Sequence, residues 1–212
     1  MIAGIILAAG EGKRIGQHKL MLPLGTKTVI DWVLEAVVKS KLGKIILVVQ
    51  PDDNKITKRG TKYKYRVTVV SNPDYKDGMS TSLQKALVEL DNQKNIDGFC
   101  VMLGDQPFIN SNIINLLIKA FQKGNKEIIV PYYQGKSGNP VLFDIAWKED
   151  FMKITGDMGG RLLIRAYPDK VKKVAMKDNA ILFDIDKEED YIKAKTYLKI
   201  PEKWCKRDEY QE

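Results

Sequence analysis

Hydrophobic positions fall in short β-rich runs separated by stretches with helical spacing. Runs at Ile2–Leu7, Lys44–Val49, Val67–Val70, Phe99–Leu103 and Ile128–Val130 predict strands, and Val29–Val38, Thr81–Leu90 and Ile113–Phe121 predict helices. In the first helix Val29, Val33, Ala36 and Val37 recur near the i, i+4, i+7, i+8 spacing while Asp31 and Glu35 lie elsewhere, so one face packs on a sheet. Regular alternation of strand and helix predicts an α/β protein with a parallel sheet.

Beyond Pro131 the pattern changes. A turn-rich Gly135–Pro140 precedes a short strand at Val141–Phe143, glycines stand at 156, 159 and 160, and further strands are expected at Val171–Met176 and Ile181–Phe183. This segment is expected to cover the functional edge of the sheet rather than to build a second core. Residues 1–198 read as one domain. The stretch 199–212 has little periodicity apart from Trp204 and reads as a docked or frayed tail.

Composition narrows the class. A chain of 212 residues can bury a full core without disulfides or a structural metal. With 44% hydrophobic and 29% charged residues and no long apolar run, a soluble protein is expected. Met1–Leu7 is apolar from its first residue, which reads as a buried strand rather than a signal peptide. Cys100 and Cys205 form no motif, which fits a reducing compartment and places the protein in the cytoplasm. The net charge of +8 comes from scattered lysines, as in a solvated surface, and also suits a polyanionic small substrate. No RNP signature, zinc spacing or helix-turn-helix points to nucleic acid, and nothing points to a membrane.

Three segments carry candidate chemistry. The first strand runs into Leu7-Ala8-Ala9-Gly10-Glu11-Gly12-Lys13-Arg14-Ile15-Gly16, followed by Lys19. Small residues there let backbone N–H groups approach phosphate oxygens, and the cations supply positive charge; the same run also serves as a tight connection. It is not a Walker loop, because Leu7 stands where the first glycine belongs and Arg14 where Ser or Thr ligates magnesium. It is not a dinucleotide fingerprint either, since Ile15 takes the place of the third small residue and Asp31 lies within a helix.

The second segment, Phe99–Leu103 followed by Gly104-Asp105-Gln106-Pro107, delivers a carboxylate at a strand's carboxyl end. That carboxylate suits Mg²⁺, or it closes an Asx turn. In the third, Asn72-Pro73 leads to Gly78-Met79-Ser80-Thr81-Ser82, where Ser80 or Thr81 caps a helix or meets an anion or base edge. Gly138-Asn139-Pro140, Gly156-Asp157-Met158-Gly159-Gly160-Arg161 and Phe183-Asp184-Ile185-Asp186 add further loops and a carboxylate pair.

Taken in order, Leu7–Gly10 with Arg14, Gly16 and Lys19, then Gly104–Pro107, Gly138–Phe143, Gly156–Arg161 and Asp184–Asp190 resemble the molybdenum-cofactor nucleotidyltransferase family over residues 1 to 198. Within it the chain is most similar to the molybdopterin cytidylyltransferases. The resemblance implies a Rossmann-like nucleotidyltransferase fold with a mostly parallel mixed sheet flanked by helices. It also implies transfer of CMP from CTP to molybdopterin with release of pyrophosphate.

By the same resemblance, Ala8, Ala9 and Gly10 contact nucleotide, and Arg14 and Lys19 its phosphates; Leu7, Gly12, Ser80, Ser82 and Gly104 are further candidate nucleotide contacts. Asp105 holds Mg²⁺ together with Asp186, or Asp184 in its place. Gly138, Asn139, Pro140, Gly156, Asp157, Gly159 and Arg161 lie on the acceptor side. Arg14, Lys19 and Asp105 are the implied catalytic set, and a molybdenum hydroxylase is the implied recipient of the product. Departures from the family pattern are Ile15 for Met, Gly159-Gly160 for Gly-Ala and Lys187-Glu188 for Thr-Pro. Such chemistry needs no protein nucleophile, so His18, the one histidine, is not required as a base. Guanylyl transfer, a sugar-phosphate acceptor and a non-catalytic cofactor-binding accessory protein are the alternative readings.

Overall fold

The computed structural model describes residues 1–10, 12, 18–93, 95–124 and 127–199. Its strands are β1 (Ile2–Leu7), β2 (Pro23–Leu24), β3 (Lys27–Thr28), β4 (Ile45–Val49), β5 (Val67–Ser71), β6 (Gly98–Leu103), β7 (Ile128–Tyr133), β8 (Lys136–Ser137), β9 (Val141–Asp144) and β10 (Val171–Ala175). The helices are α1 (Val29–Val38), α2 (Asn54–Thr61), α3 (Met79–Glu89), α4 (Ser111–Gln122), α5 (Lys148–Phe151), α6 (Arg161–Ala166) and α7 (Glu188–Tyr197).

The main sheet has the order β10-β7-β9-β6-β1-β4-β5, with β8 paired to β7, while β2 and β3 form a separate hairpin. β1, β4, β5 and β6 are mutually parallel, whereas β9 runs antiparallel to both β6 and β7. The mixed, mostly parallel sheet therefore arises from two reversed strands, β9 and the two-residue β8, which is antiparallel to β7. β1, β4 and β6 are continuous apolar runs because helices cover both faces. On one face pack Val29, Val33 and Val37 of α1 with Ile114 and Leu117 of α4; on the other pack Leu83 and Leu87 of α3 with the Phe99–Phe143–Phe151 ring cluster.

The first strand and first helix have the bounds that hydrophobic spacing predicts. Thr28 and Asp31 close a capping box at the start of α1, which explains an acidic residue inside that apolar helix. Three expectations are corrected. Residues beyond Pro131 do more than cover the functional edge: β9 pairs with β6 and β7, and β10 pairs with β7, so they extend the same sheet and core. The strand expected at Ile181–Phe183 is a short 3₁₀ turn at Ala180–Leu182; the Asp178 carboxylate accepts from the Ala180 amide and no strand pairs with it among the described residues. Helix α3 starts at Met79 with Gly78 as its N-cap, so Ser80 and Thr81 sit inside the first turn rather than capping it. Helix α2, with the side chain of Asp53 capping Ile56, is missed from the sequence because Ile56 is its one large apolar residue.

Candidate active site

Strands β1 and β6 lie side by side with Leu7 opposite Leu103, so the loops that follow them emerge at the same level. The Gly104 amide donates to the Leu7 carbonyl at 3.0 Å and ties the two exits together. In open α/β sheets the ligand crevice lies at such carboxyl ends. Beyond β1, the Ala8 amide donates to the Val48 carbonyl, and Gln50 Nε2 donates to the carbonyls of Ala9 at 3.2 Å and Gly10 at 2.9 Å. Gln50 holds the loop's shape and was missed from the sequence, although a polar residue ending the buried run of β4 was a signal for it. Gly12 has φ +60°. Glu11 and residues 13–17, and with them the expected phosphate contact Arg14, lie outside the described residues.

The chemistry concentrates around Lys19. Its ammonium donates to Asp105 Oδ2 at 2.6 Å and to Asp186 Oδ1 at 3.0 Å. The side chains of Lys19 and Asp105 are each only 16% exposed. Three distant segments meet here: the loop after β1, the end of β6 and the chain entering α7. The Ile185 amide donates to the Asp105 carbonyl at 3.0 Å and fixes the last of them. Burial disfavours the Lys19 charge, but Asp105 and then Asp186 outweigh it and leave the ammonium's pKa raised. Asp184 is pushed up by burial first, then by the neighbouring charges of Asp105 and Asp186. Of the two candidate partners for Asp105, it is Asp186 that shares Lys19 with it.

Asp105 Oδ1 is buried and has no hydrogen-bond partner among the described residues. A buried carboxylate oxygen left this way needs a cation or donor. The donor set is hard oxygen, as a divalent cation of the magnesium type requires. Among the described residues no group of three or more His, Cys, Asp and Glu side chains is placed to hold a metal.

A second group forms at the start of α3. The Ser80 amide donates to the Gly156 carbonyl at 3.1 Å and the Met79 amide to Asp157 Oδ1 at 3.3 Å, so this helix end is already engaged by a remote loop. Ser80 and Ser82 are buried, and Ser82 Oγ accepts from Asn72 Nδ2 at 2.9 Å. Gly159 lies against Met79, Gly160 against the Phe143 ring, and Arg161 opens α6. Gly138 and Asn139 donate their amides to Pro131 and Ile181, and a Cβ on Gly138 would collide with the Ile181 carbonyl. The Asn139–Pro140 peptide is cis. The loop at 138–140 thus rests on the segment that continues to Asp184 and Asp186.

Among the described residues no helix is long and apolar enough to cross a membrane. A mostly parallel sheet whose carboxyl edge gathers a small-residue loop, a lysine and an acidic pair defines a nucleotidyltransferase of the α/β class. The MobA-like NTP transferase domain matches residues 4–171, and the chain belongs to that family. It is 28% identical over 195 residues to the molybdenum cofactor cytidylyltransferase of Escherichia coli (strain K12), covering 90% of this chain and 94% of that protein. A probable molybdenum cofactor guanylyltransferase of Natranaerobius thermophilus is 29% identical over 136 residues, covering 63% of this chain and 62% of that protein. The structure of Rv0371c from Mycobacterium tuberculosis H37Rv in complex with manganese superposes with a TM-score of 0.76 at 25% identity, covering 92% of this chain and 98% of that one.

Proposed function

We propose that this protein transfers CMP from CTP to a molybdopterin-type acceptor and releases pyrophosphate, with Mg²⁺ as the metal. The observation that carries the reading is the convergence of Lys19, Asp105 and Asp186 beside the small-residue loop. Similarity to the cytidylyltransferase over nearly the whole length of both proteins supports cytidylyl transfer. Similarity to guanylyltransferases, one of them over 93% of this chain at 25% identity, supports GTP as the alternative donor. Residues 1–198 act as a single catalytic domain, and a molybdenum hydroxylase is the proposed recipient of the product.

In this reading the loop from Leu7 to Gly12 seats the nucleotide with Gly104 beneath it, and Arg14 and Lys19 neutralise its phosphates. Ser80 and Ser82 border the nucleotide side; Gly138, Asn139, Pro140, Gly156, Asp157, Gly159 and Arg161 border the acceptor. Asp105 and Asp186 would hold Mg²⁺, which when bound supplies charge neutralisation between the reacting phosphates. A phosphate oxygen of the acceptor forms the new bond to the α-phosphorus, and the bond from that phosphorus to the bridging oxygen breaks as pyrophosphate departs. The attacking phosphate is already ionised at neutral pH, so the chain's part is positioning and neutralisation rather than proton removal. Incubation with molybdopterin and labelled CTP or GTP tests the assignment: label in the acceptor from CTP supports it, and no transfer from either nucleotide rejects it.

A further inference from the structure

We infer that Lys19 is a built-in cation which keeps the two metal carboxylates together before the metal arrives, and which must leave them as the metal enters. The inference rests on the reading of Asp105 and Asp186 as metal ligands. Lys19 Nζ lies 2.6 Å from Asp105 Oδ2 and 3.0 Å from Asp186 Oδ1, between the two groups that would share a divalent cation. Asp105 Oδ2 and Asp186 Oδ1 are both taken by the ammonium, so a metal that bridges the two side chains through these oxygens displaces it. Two carboxylates brought this close repel each other. The ammonium offsets that repulsion and holds the segment entering α7 against the end of β6.

A lysine suits this task better than an arginine. Its charge is compact and its stem flexible, so it can be exchanged for a metal ion and swing towards a phosphate without leaving the site. Asp105 Oδ1, buried and without a hydrogen bond, is the part of the carboxylate that the lysine leaves unsatisfied. Metal entry and delivery of Lys19 to the phosphates are therefore one exchange. The lysine is displaced from the carboxylates only when a stronger cation replaces it, and this couples metal binding to readiness for the triphosphate.

The test is Mn²⁺ binding to the full chain without nucleotide, followed by calorimetry and by the electron paramagnetic resonance of free Mn²⁺. Lys19→Gln should bind Mn²⁺ about tenfold or more tightly than wild type, because one positive charge no longer competes for the two carboxylates. Unchanged or weaker binding overturns the inference. Adding Asp105→Asn to Lys19→Gln separates the two claims: if it leaves Mn²⁺ binding unaffected, the carboxylates are not the metal site and the underlying reading fails. If it abolishes binding while Lys19→Gln alone brings no gain, only the exchange fails. Should Lys19→Gln not fold, the wild-type chain gives the answer through acylation of Lys19 read by peptide mass spectrometry. Mn²⁺ should speed modification as the ammonium leaves the carboxylates, and an unchanged or slower rate overturns the inference.

Discussion

The backbone amide of Ile185 donates to the backbone carbonyl of Asp105 at 3.0 Å, joining the chain that enters α7 to the end of β6. This bond places Asp186 within reach of the same ammonium as Asp105, although the two lie far apart in sequence. The acidic pair is thus held by the backbone as well as by Lys19.

Asp105→Asn keeps the side chain's size and removes its charge. Activity should fall by about 10²-fold or more in kcat, since charge stabilisation carries much of the rate in phosphoryl transfer. Lys19 retains Asp186 as a partner, so the melting temperature should move little. Pyrophosphate release at saturating Mg²⁺, read beside a thermal melt, checks both; near-normal turnover by a folded variant removes Asp105 from the mechanism.

Preference between nucleotides is read from kcat/KM. The cytidylyl assignment expects CTP to exceed GTP, and equal values or a GTP preference reject it.

Gly78 has φ +107°, and a Cβ there would press into the backbone of Gly156 and Asp157. Gly78→Ala should destabilise the fold by roughly 1–3 kcal/mol from backbone strain, with more from the collision. Urea denaturation measures it, and a loss below about 0.5 kcal/mol means that the two loops separate easily.

Burial alone pushes the Cys100 thiol up to about 12 from an ordinary 9.0. Between those values the folded chain keeps a proton that the unfolded chain releases, so this group lowers stability as pH rises through that window. At pH 8 the native thiol is protonated and enclosed. In a Cys205→Ser background a disulfide reagent should label no thiol in native protein and one in urea; fast native labelling contradicts the burial.

Gln50 donates to two carbonyls of the loop after β1. Gln50→Ala should raise the nucleotide KM several-fold while kcat changes less, as expected when a group shapes a binding loop without touching the reacting atoms. Steady-state kinetics with varied nucleotide decides; equal losses in kcat and kcat/KM point instead to a contact made in the transition state.

Much of this molecule follows from local pattern. Continuous apolar runs at Ile2–Leu7 and Phe99–Leu103 mark buried parallel strands because both sheet faces are covered, and the spacing of Val29, Val33 and Val37 marks α1 because one helix face is apolar. The small residues after β1 and the Gly104-Asp105 pair were also legible as candidate chemistry, since they end apolar strands at the carboxyl edge. Tertiary structure alone decided three things. It reversed β9 and so brought the residues beyond Pro131 into the main sheet, which depends on strand neighbours and not on periodicity. It turned Ile181 into the buried centre of a 3₁₀ turn, since an apolar triplet reads alike in either setting. It chose Asp186 over Asp184 as the partner that shares Lys19 with Asp105, because the backbone bond from Ile185 sets which neighbouring carboxylate faces the ammonium, and no spacing along the chain encodes that choice.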